Sequence, residues 1–331
     1  MKTGNIAIIG KPNVGKSTLI NALVGQKIAS VTHKAQTTRK RQLGILTTDD
    51  YQLVFFDTPG IHLPHHKLGE FLNQEAEKAL DGVDLALWLV DSTSAPGPED
   101  AAIASKLKMI KGRPEIFLVL NKIDLTDEQP IDFENEYRDL FDFGEIHQIS
   151  ATQGAGVKNL LQAIINQMPE GIPEFDPEMV TDLYERELAA ELIRESCLLN
   201  LRSEVPHGIN IRIDEFTERG ETGARIHATI FVERDSQKGI VIGQNGSMLK
   251  QIGIAARQQI EEMSGRKVFL ELRVKVEKIG GIMRKFYPIL VIRSKNQRKR
   301  KNKKGALAPY KERGGRDSNT WLVRPVRLGK S

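Results

Sequence analysis

GKPNVGKS, residues Gly10 to Ser17, is the stretch on which the fold turns. An apolar run, Asn5–Ile9, precedes it and a helical pattern, Lys16–Val24, follows it; a phosphate-binding loop needs that strand before it and that helix after it. The backbone from Gly10 through Lys11, Pro12, Asn13, Val14 and Gly15, with the helix start at Lys16, Ser17 and Thr18, can surround a polyphosphate. The first turn of a helix presents unpaired N–H donors and the positive end of its dipole. Lys16 would reach the β- and γ-phosphates, and Ser17 would ligate Mg²⁺.

The alternation of short apolar runs with longer amphipathic ones continues to about residue 168. Further strands are expected at Gly44–Leu46, Gln52–Phe56, Leu85–Val90, Ile116–Leu120 and Glu145–Ile149. Helices are expected at Leu68–Leu80, Asp100–Ile110, Phe133–Leu140 and Val157–Gln167. This order predicts an α/β unit, a mostly parallel sheet with helices on both faces. MPEGIPEFDPEM, residues 168–179, holds three prolines and a glycine and reads as a linker. The first unit is thus placed at 1–168 and the linker at 169–180.

Three more motifs close strands of this unit. LVFFDTPG puts Asp57 at the C-terminal end of a strand, where its carboxylate can support the same Mg²⁺ directly or through water. After Thr58 and Pro59, Gly60 leaves its N–H free to approach a γ-phosphate. LVLNKID supplies Asn121, Lys122 and Asp124. The two oxygens of Asp124 can accept the paired N–H donors of guanine, which adenine does not offer, while the Lys122 stem lies along the base. Ser150-Ala151 can present a backbone N–H to guanine O6. Four motifs in this order imply GTP.

Together with AQTTR (residues 35–39), these motifs resemble the Era family of Ras-like GTPases, over residues 1 to about 278. The resemblance implies an Mg²⁺-dependent enzyme of slow basal turnover that binds GTP and GDP. It implies that Thr38, with Thr37 as the alternative, closes on Mg²⁺, giving a metal set of Ser17, Thr38 and Asp57. A second switch would lie around His62–Gly69. Catalysis would rest on Lys16, Gly60 and Asn13. Ras proteins orient the attacking water with a glutamine after the corresponding glycine; here that residue is Ile61, which has no polar atom. Asn13 resembles the asparagine with which related GTPases hold K⁺ beside the phosphates; the alternative is that it only satisfies loop backbone groups. The first reading expects faster hydrolysis in K⁺ than in Na⁺. His62, His65 and His66 cluster nearby and read as an exposed loop rather than a zinc site.

The second unit, 181–278, has a different order. A helix at Asp182–Leu201, capped by Thr181, precedes strands at Ile209–Phe216 and Ala224–Glu233. A short helix, the turn Gly243-Gln244-Asn245-Gly246, a helix at Ser247–Met263 and a strand at Lys267–Val276 complete a compact α+β arrangement. Two glycines three apart mark turns of many kinds. Their place among these elements matches the type II K-homology fold of the Era family. Glycines at both ends let the backbone approach four nucleotides without Cβ interference. The bases would rest on an apolar groove of Val241, Ile242 and Leu249, with Lys238 and Lys250 meeting phosphates. The residues alone support single-stranded RNA; the resemblance implies the 3′ end of 16S rRNA and a role in assembly of the 30S ribosomal subunit.

Within the 331 residues no apolar run approaches the roughly 20 that span a bilayer. MKTGNIAIIG leads straight into a strand, without the pattern of a secretory leader. The expectation is a cytoplasmic monomer, with peripheral association at the inner face of the membrane left open. One rival reading is a signalling or membrane-associated GTPase whose second unit binds protein. Another is a helicase-type NTPase, disfavoured by Asp124 and by the absence of helicase repeats. The lone cysteine, Cys197, lies among apolar residues at helical spacing and reads as core rather than nucleophile.

The charge is uneven. From Ile279 onward 16 Lys and Arg face 2 acids, a balance of +14, which leaves −9 on the rest of a chain whose total is +5. Era-family chains end their last strand in Lys-Asn-Trp-Arg, but here RVKVEK runs into IGGIMRKFYPILVIRSKNQRKRKNKK. One reading of residues 279–331 is a disordered basic arm that condenses on RNA. The preferred one is a frameshift: one base restored before the codons of Ile279-Gly280-Gly281 spells Asn-Trp.

Overall fold

The structure is a computed structural model that describes residues 1–31, 42–57, 80, 82–110, 112–125, 133–201, 209–219 and 223–277, with the backbone of 325–327. β1 (Lys2–Ile9) enters the middle of a six-stranded sheet of order β2-β3-β1-β4-β5-β6. β2 (Gln42–Thr47) is antiparallel to β3 (Tyr51–Asp57). The other pairings, through β4 (Leu85–Asp91), β5 (Glu115–Asn121) and β6 (Ile146–Ile149), are all parallel.

Both faces of the sheet are covered, which is why β4 reads as an unbroken apolar run. Alternate residues go to opposite sides. Ile6, Ile8, Leu87, Leu89, Phe117 and Val119 pack against Leu19 of α1 (Lys16–Val24) and Leu160 and Ile164 of α4 (Val157–Gln167). Ala7, Ile9, Trp88, Val90 and Leu118 pack against Ile103 and Leu107 of α2 (Pro98–Met109) and Tyr137 of α3 (Glu134–Leu140). Pro98 opens α2 at a position that needs no N–H, and Asp100 accepts from Gly97 N–H at 2.8 Å to cap the turn. The carboxyl ends of β1, β3, β4, β5 and β6 therefore meet along one rim of the sheet, where ligands of parallel α/β sheets bind.

The second unit has β7 (Met179–Tyr184), α5 (Glu185–Asn200), β8 (Asn210–Arg219), β9 (Gly223–Val232), α6 (Asp235–Ile242), a 3₁₀ turn (Gln244–Gly246), α7 (Ser247–Ser264) and β10 (Lys267–Val276). Its sheet has the order β10-β9-β8, with β8 antiparallel and β10 parallel to β9. Leu188 and Leu192 of α5 pack with Ile260 and Met263 of α7 over Ile226 and Ala228. Cys197 is fully buried beside Ile230, Val241 and Ile252, and burial pushes its thiol up to about 12 against the weaker pull of Arg194.

Residues 182–184 differ from the expected helix, and residues 179–181 from the expected linker and cap. They form a strand that crosses the boundary placed at 180/181, and the helix starts only at Glu185. Helical periodicity reaches back to Asp182, but tertiary contacts override it. The Asp182 carboxylate accepts the Leu43 N–H of β2 at 3.0 Å, and Thr181 Oγ accepts from Leu183 N–H instead of capping a helix. The cap is Tyr184, whose N–H donates to Glu187 Oε2 at 3.2 Å. Within residues 279–331, Pro325–Arg327 form a short strand, β11, antiparallel to β7. The edge of β7 supplies the backbone groups that such a strand needs. The rest of 279–331 lies outside the described residues.

Candidate functional site

The loop after β1 folds around the Lys16 ammonium, whose Nζ donates to Gly10 O at 3.1 Å and to Lys11 O at 2.6 Å. Gly15 has φ 102°, and a Cβ on it would overlap the Asn121 amide, so the loop lies against the β5 motif with no room for a side chain. Ser17 Oγ donates to Asp57 Oδ2 at 2.8 Å, and Asp57 is 1% exposed. A hydroxyl and a carboxylate side by side are hard oxygen donors of the kind Mg²⁺ takes.

Asn121 has a different part from Lys122 and Asp124. Its Nδ2 donates to Val14 O at 2.8 Å and its Oδ1 accepts the Ala151 N–H at 2.9 Å. It is a buried tie between the phosphate loop, the β5 loop and the Ser150-Ala151 loop. Lys122 is held at φ 72° with its Nζ 2.6 Å from Asp91 Oδ2. Partial burial works to raise the Asp91 pKa, but the hydrogen bonds from Lys122 and Thr93 hold it below the usual carboxylate range. Asp124 stands exposed in the 3₁₀ turn Ile123–Leu125. Ser150 and Ala151 are both buried.

In the second unit α6 ends at Ile242, and Gly243 (φ 71°), Asn245 (φ 51°) and Gly246 (φ 77°) turn the chain into α7. Behind the turn a groove of about 380 Å³ is lined by Gly246, Leu249, Lys250, Gly253, Ile254, Arg257, Leu270 and Leu272. Half-exposed Ile254 gives it an apolar wall, and Lys250 and Arg257, two helical turns apart, give it positive charge. The structure places Val241 elsewhere: it is fully buried in the core beneath the turn, so it supports the groove without lining it. Ile242 and Lys238 are half-buried on α6, away from the lining, while Gln244 and Asn245 are exposed at the tip.

A family model described as 50S ribosome-binding GTPase matches residues 5–122, and one described as KH domain matches residues 204–279. GTPase Era of Ruminiclostridium cellulolyticum (strain ATCC 35319 / DSM 5812 / JCM 6584 / H10) is 46% identical over 277 residues, 83% of this chain and 92% of its own. The chain belongs to the Era family of GTPases. A crystal structure of a variant of Aquifex aeolicus Era bound to GDP and AlF4⁻ superposes with a TM-score of 0.80 at 38% identity, covering 88% of this chain and 98% of that one. Era in complex with MgGDPNP and nucleotides 1506–1542 of 16S ribosomal RNA gives 0.79 at 38% identity, with the same coverage of 88% and 98%. As an Era-family member the chain is an enzyme that hydrolyses GTP.

For this Era-family chain, Thr37, Thr38, Thr58, Pro59, Gly60, Ile61 and the three histidines at 62, 65 and 66 lie outside the described residues. Several residues of the site escaped sequence reasoning. Asp91 ends its strand just as Asp57 does, a signal that was there to be used. Lys11 Nζ pairs with the fully buried Asp100 at 2.7 Å, tying the phosphate loop to the start of α2. Nothing local announces that pair. Gly253, Ile254 and Arg257 follow the turn at helical spacing, and their shared face becomes visible once α7 is in place.

Burial lowers the Lys16 ammonium from the ordinary 10.5 to about 8, against the opposing pull of the Asp57 carboxylate. That displacement corresponds to about 3 kcal/mol. Between pH 8 and 10.5 the unfolded chain binds the proton and the free folded protein does not, so folding stability rises with pH across that window. Below pH 8 the full cost is present. A polyphosphate raises the same pKa, so binding takes up a proton above pH 8. GDP affinity is expected to weaken as pH rises above 8, approaching about tenfold per pH unit. Titrations from pH 7 to 9.5 check this, and a flat profile would remove Lys16 from the phosphate site.

Proposed function

We propose that this Era-family GTPase is a nucleotide-controlled switch that binds the 3′ end of 16S rRNA and acts in assembly of the 30S subunit. The observation that carries the reading is the pairing in one chain of a phosphate loop beside an exposed Asp124 with a glycine turn opening onto a basic, apolar groove. The groove fits single-stranded RNA: Gly246 brings the backbone of a helix start to the surface, where phosphates are favoured, and Ile254 and Leu249 offer a surface for bases.

In the GTP site Ser17 and Asp57 would hold Mg²⁺, whose bound form neutralises charge developing on the phosphates. Lys16 would leave its carbonyl partners for the β- and γ-phosphates, and Asp124 would select guanine. Asn13 supports the K⁺ reading: it is exposed at φ 65°, and its amide makes no hydrogen bond among the described residues. The basic tail stands apart, since the KH match ends at residue 279.

Photo-crosslinking of the full chain, loaded with a non-hydrolysable GTP analogue, to a single-stranded oligonucleotide of the rRNA 3′ end tests the reading. Adducts are expected within residues 246–257. Adducts confined to the tail, or none, would favour the alternative of a GTPase whose second unit binds protein.

A further inference from the structure

Carboxylates of the second unit grip the first on both sides of residues 32–41. Glu195 of α5 is 2% exposed. Its Oε1 accepts from Lys27 Nζ at 2.8 Å and its Oε2 accepts the Val31 N–H at 3.1 Å. On the other side, Asp182 of β7 accepts the Leu43 N–H at 3.0 Å. Gln26 Nε2 adds a longer contact to Met263 O at the end of α7. A carboxylate as buried as Glu195 is tolerated only when it is paired and hydrogen-bonded. Its two partners among the described residues both belong to the first unit, so its solvation depends on how the two units sit together.

From Glu195 the contacts run unbroken to the GTP site. Lys27 and Val31 flank Ile28 and Ala29, whose N–H groups donate to Asn21 Oδ1 at 3.0 and 2.9 Å. Asn21 lies on α1, the helix that begins at Lys16 and Ser17. The Gln42 amide donates to Ile28 O, and Gln42 sits opposite Asp57 in the β2–β3 register. Asp57 in turn accepts from Ser17. Each link is a hydrogen bond, a strand pairing or a stretch of continuous backbone.

We infer that Glu195 is the positioning residue through which the RNA-binding unit and the GTP site act on each other. The inference rests on the reading that the second unit binds RNA. Glutamine at 195 would keep the size of the side chain but has one acceptor oxygen and one amide donor. Lys27 and Val31 bond different oxygens of the carboxylate, so in the same pose one of the two donors would face an NH₂ group.

The test uses the full chain, a labelled single-stranded RNA of the rRNA 3′ end, and two nucleotide states, GDP and a non-hydrolysable GTP analogue. In the parent protein RNA affinity is expected to differ between the two states. Glu195→Gln and Lys27→Met are each expected to move that ratio at least about threefold toward one, and the double variant no further, because coupling is a property of the pair. GDP affinity without RNA should stay within about twofold of the parent. Glu191→Gln, on the same helix with a half-exposed carboxylate that pairs with Arg194 rather than with the first unit, should leave the ratio alone. If Glu195→Gln does not fold, Lys27→Met carries the same measurement. A parent-like ratio in folded variants, or a parent that binds RNA equally in both states, overturns the inference alone; a parent that does not bind RNA overturns the functional reading as well.

Discussion

Asp124→Asn is expected to lower GTP affinity roughly 10²- to 10³-fold and to turn the preference toward xanthosine triphosphate. Asp124 stands exposed just past the end of β5 and makes no ion pair among the described residues, so both oxygens are available to a base. Guanine presents two adjacent donors, N1–H and the 2-amino group, and a carboxylate accepts both. Hydrogen bonds to a charged group contribute about 1.5–3 kcal/mol each. Asparagine keeps one acceptor and sets its own NH₂ against a donor, losing one such bond and leaving a polar group unmatched. Xanthine has an oxygen in place of the 2-amino group, and that oxygen accepts from the same NH₂. Fluorescent GDP and XDP titrations decide the matter. Equal loss for both nucleotides, with a lowered melting temperature, would make Asp124 a structural residue of the turn.

Much of the first unit could be read from its residues because the physics there is local. The bounds of α1 and α4 coincide with expectation, as do those of β10 in the second unit, and β4 and β5 announce themselves as buried strands by unbroken apolar runs. The phosphate loop is a contiguous motif and needs no partner to be recognised. Asn121 shows the limit. Its motif marks it for the base, yet its amide joins Val14, 107 residues away, to Ala151, 30 residues away. Such a tie exists only in the folded sheet. The same holds for Lys11 with Asp100, and for β7, where Asp182 answers to Leu43 rather than to the helix that follows it. Val241 failed for another reason: an apolar residue beside a functional turn can face the ligand or the core, and α6 turns it inward among Cys197 and Ile252.

The turn in the second unit allows the sharper of the two glycine experiments. A Cβ on Gly243 would lie 2.7 Å from Met248 Cβ and 2.8 Å from its backbone nitrogen, so any side chain there displaces the start of α7. Loss of RNA binding in a Gly243 variant would therefore report a broken turn as readily as a lost contact. Gly246 has no heavy atom within 4 Å of its missing Cβ. Its left-handed φ of 77° would strain a side chain by about 1–2 kcal/mol, at the low end for aspartate, which enters that region more readily than most residues. Gly246→Asp thus adds a carboxylate to open surface at the N-terminus of α7, in the groove wall shared with Lys250. RNA affinity is expected to fall about 10- to 100-fold, equivalent to roughly 1.4–2.7 kcal/mol, while GTP affinity is unchanged. Two controls separate the causes. Gly246→Ala carries the backbone strain without the charge and should lose much less. Because salt screens an exposed carboxylate from a phosphate, the gap between Gly246→Asp and the parent should narrow as ionic strength rises. A gap that ignores salt, matched by the alanine variant, would mean that backbone geometry at 246, not the approach of a phosphate, is what RNA binding requires.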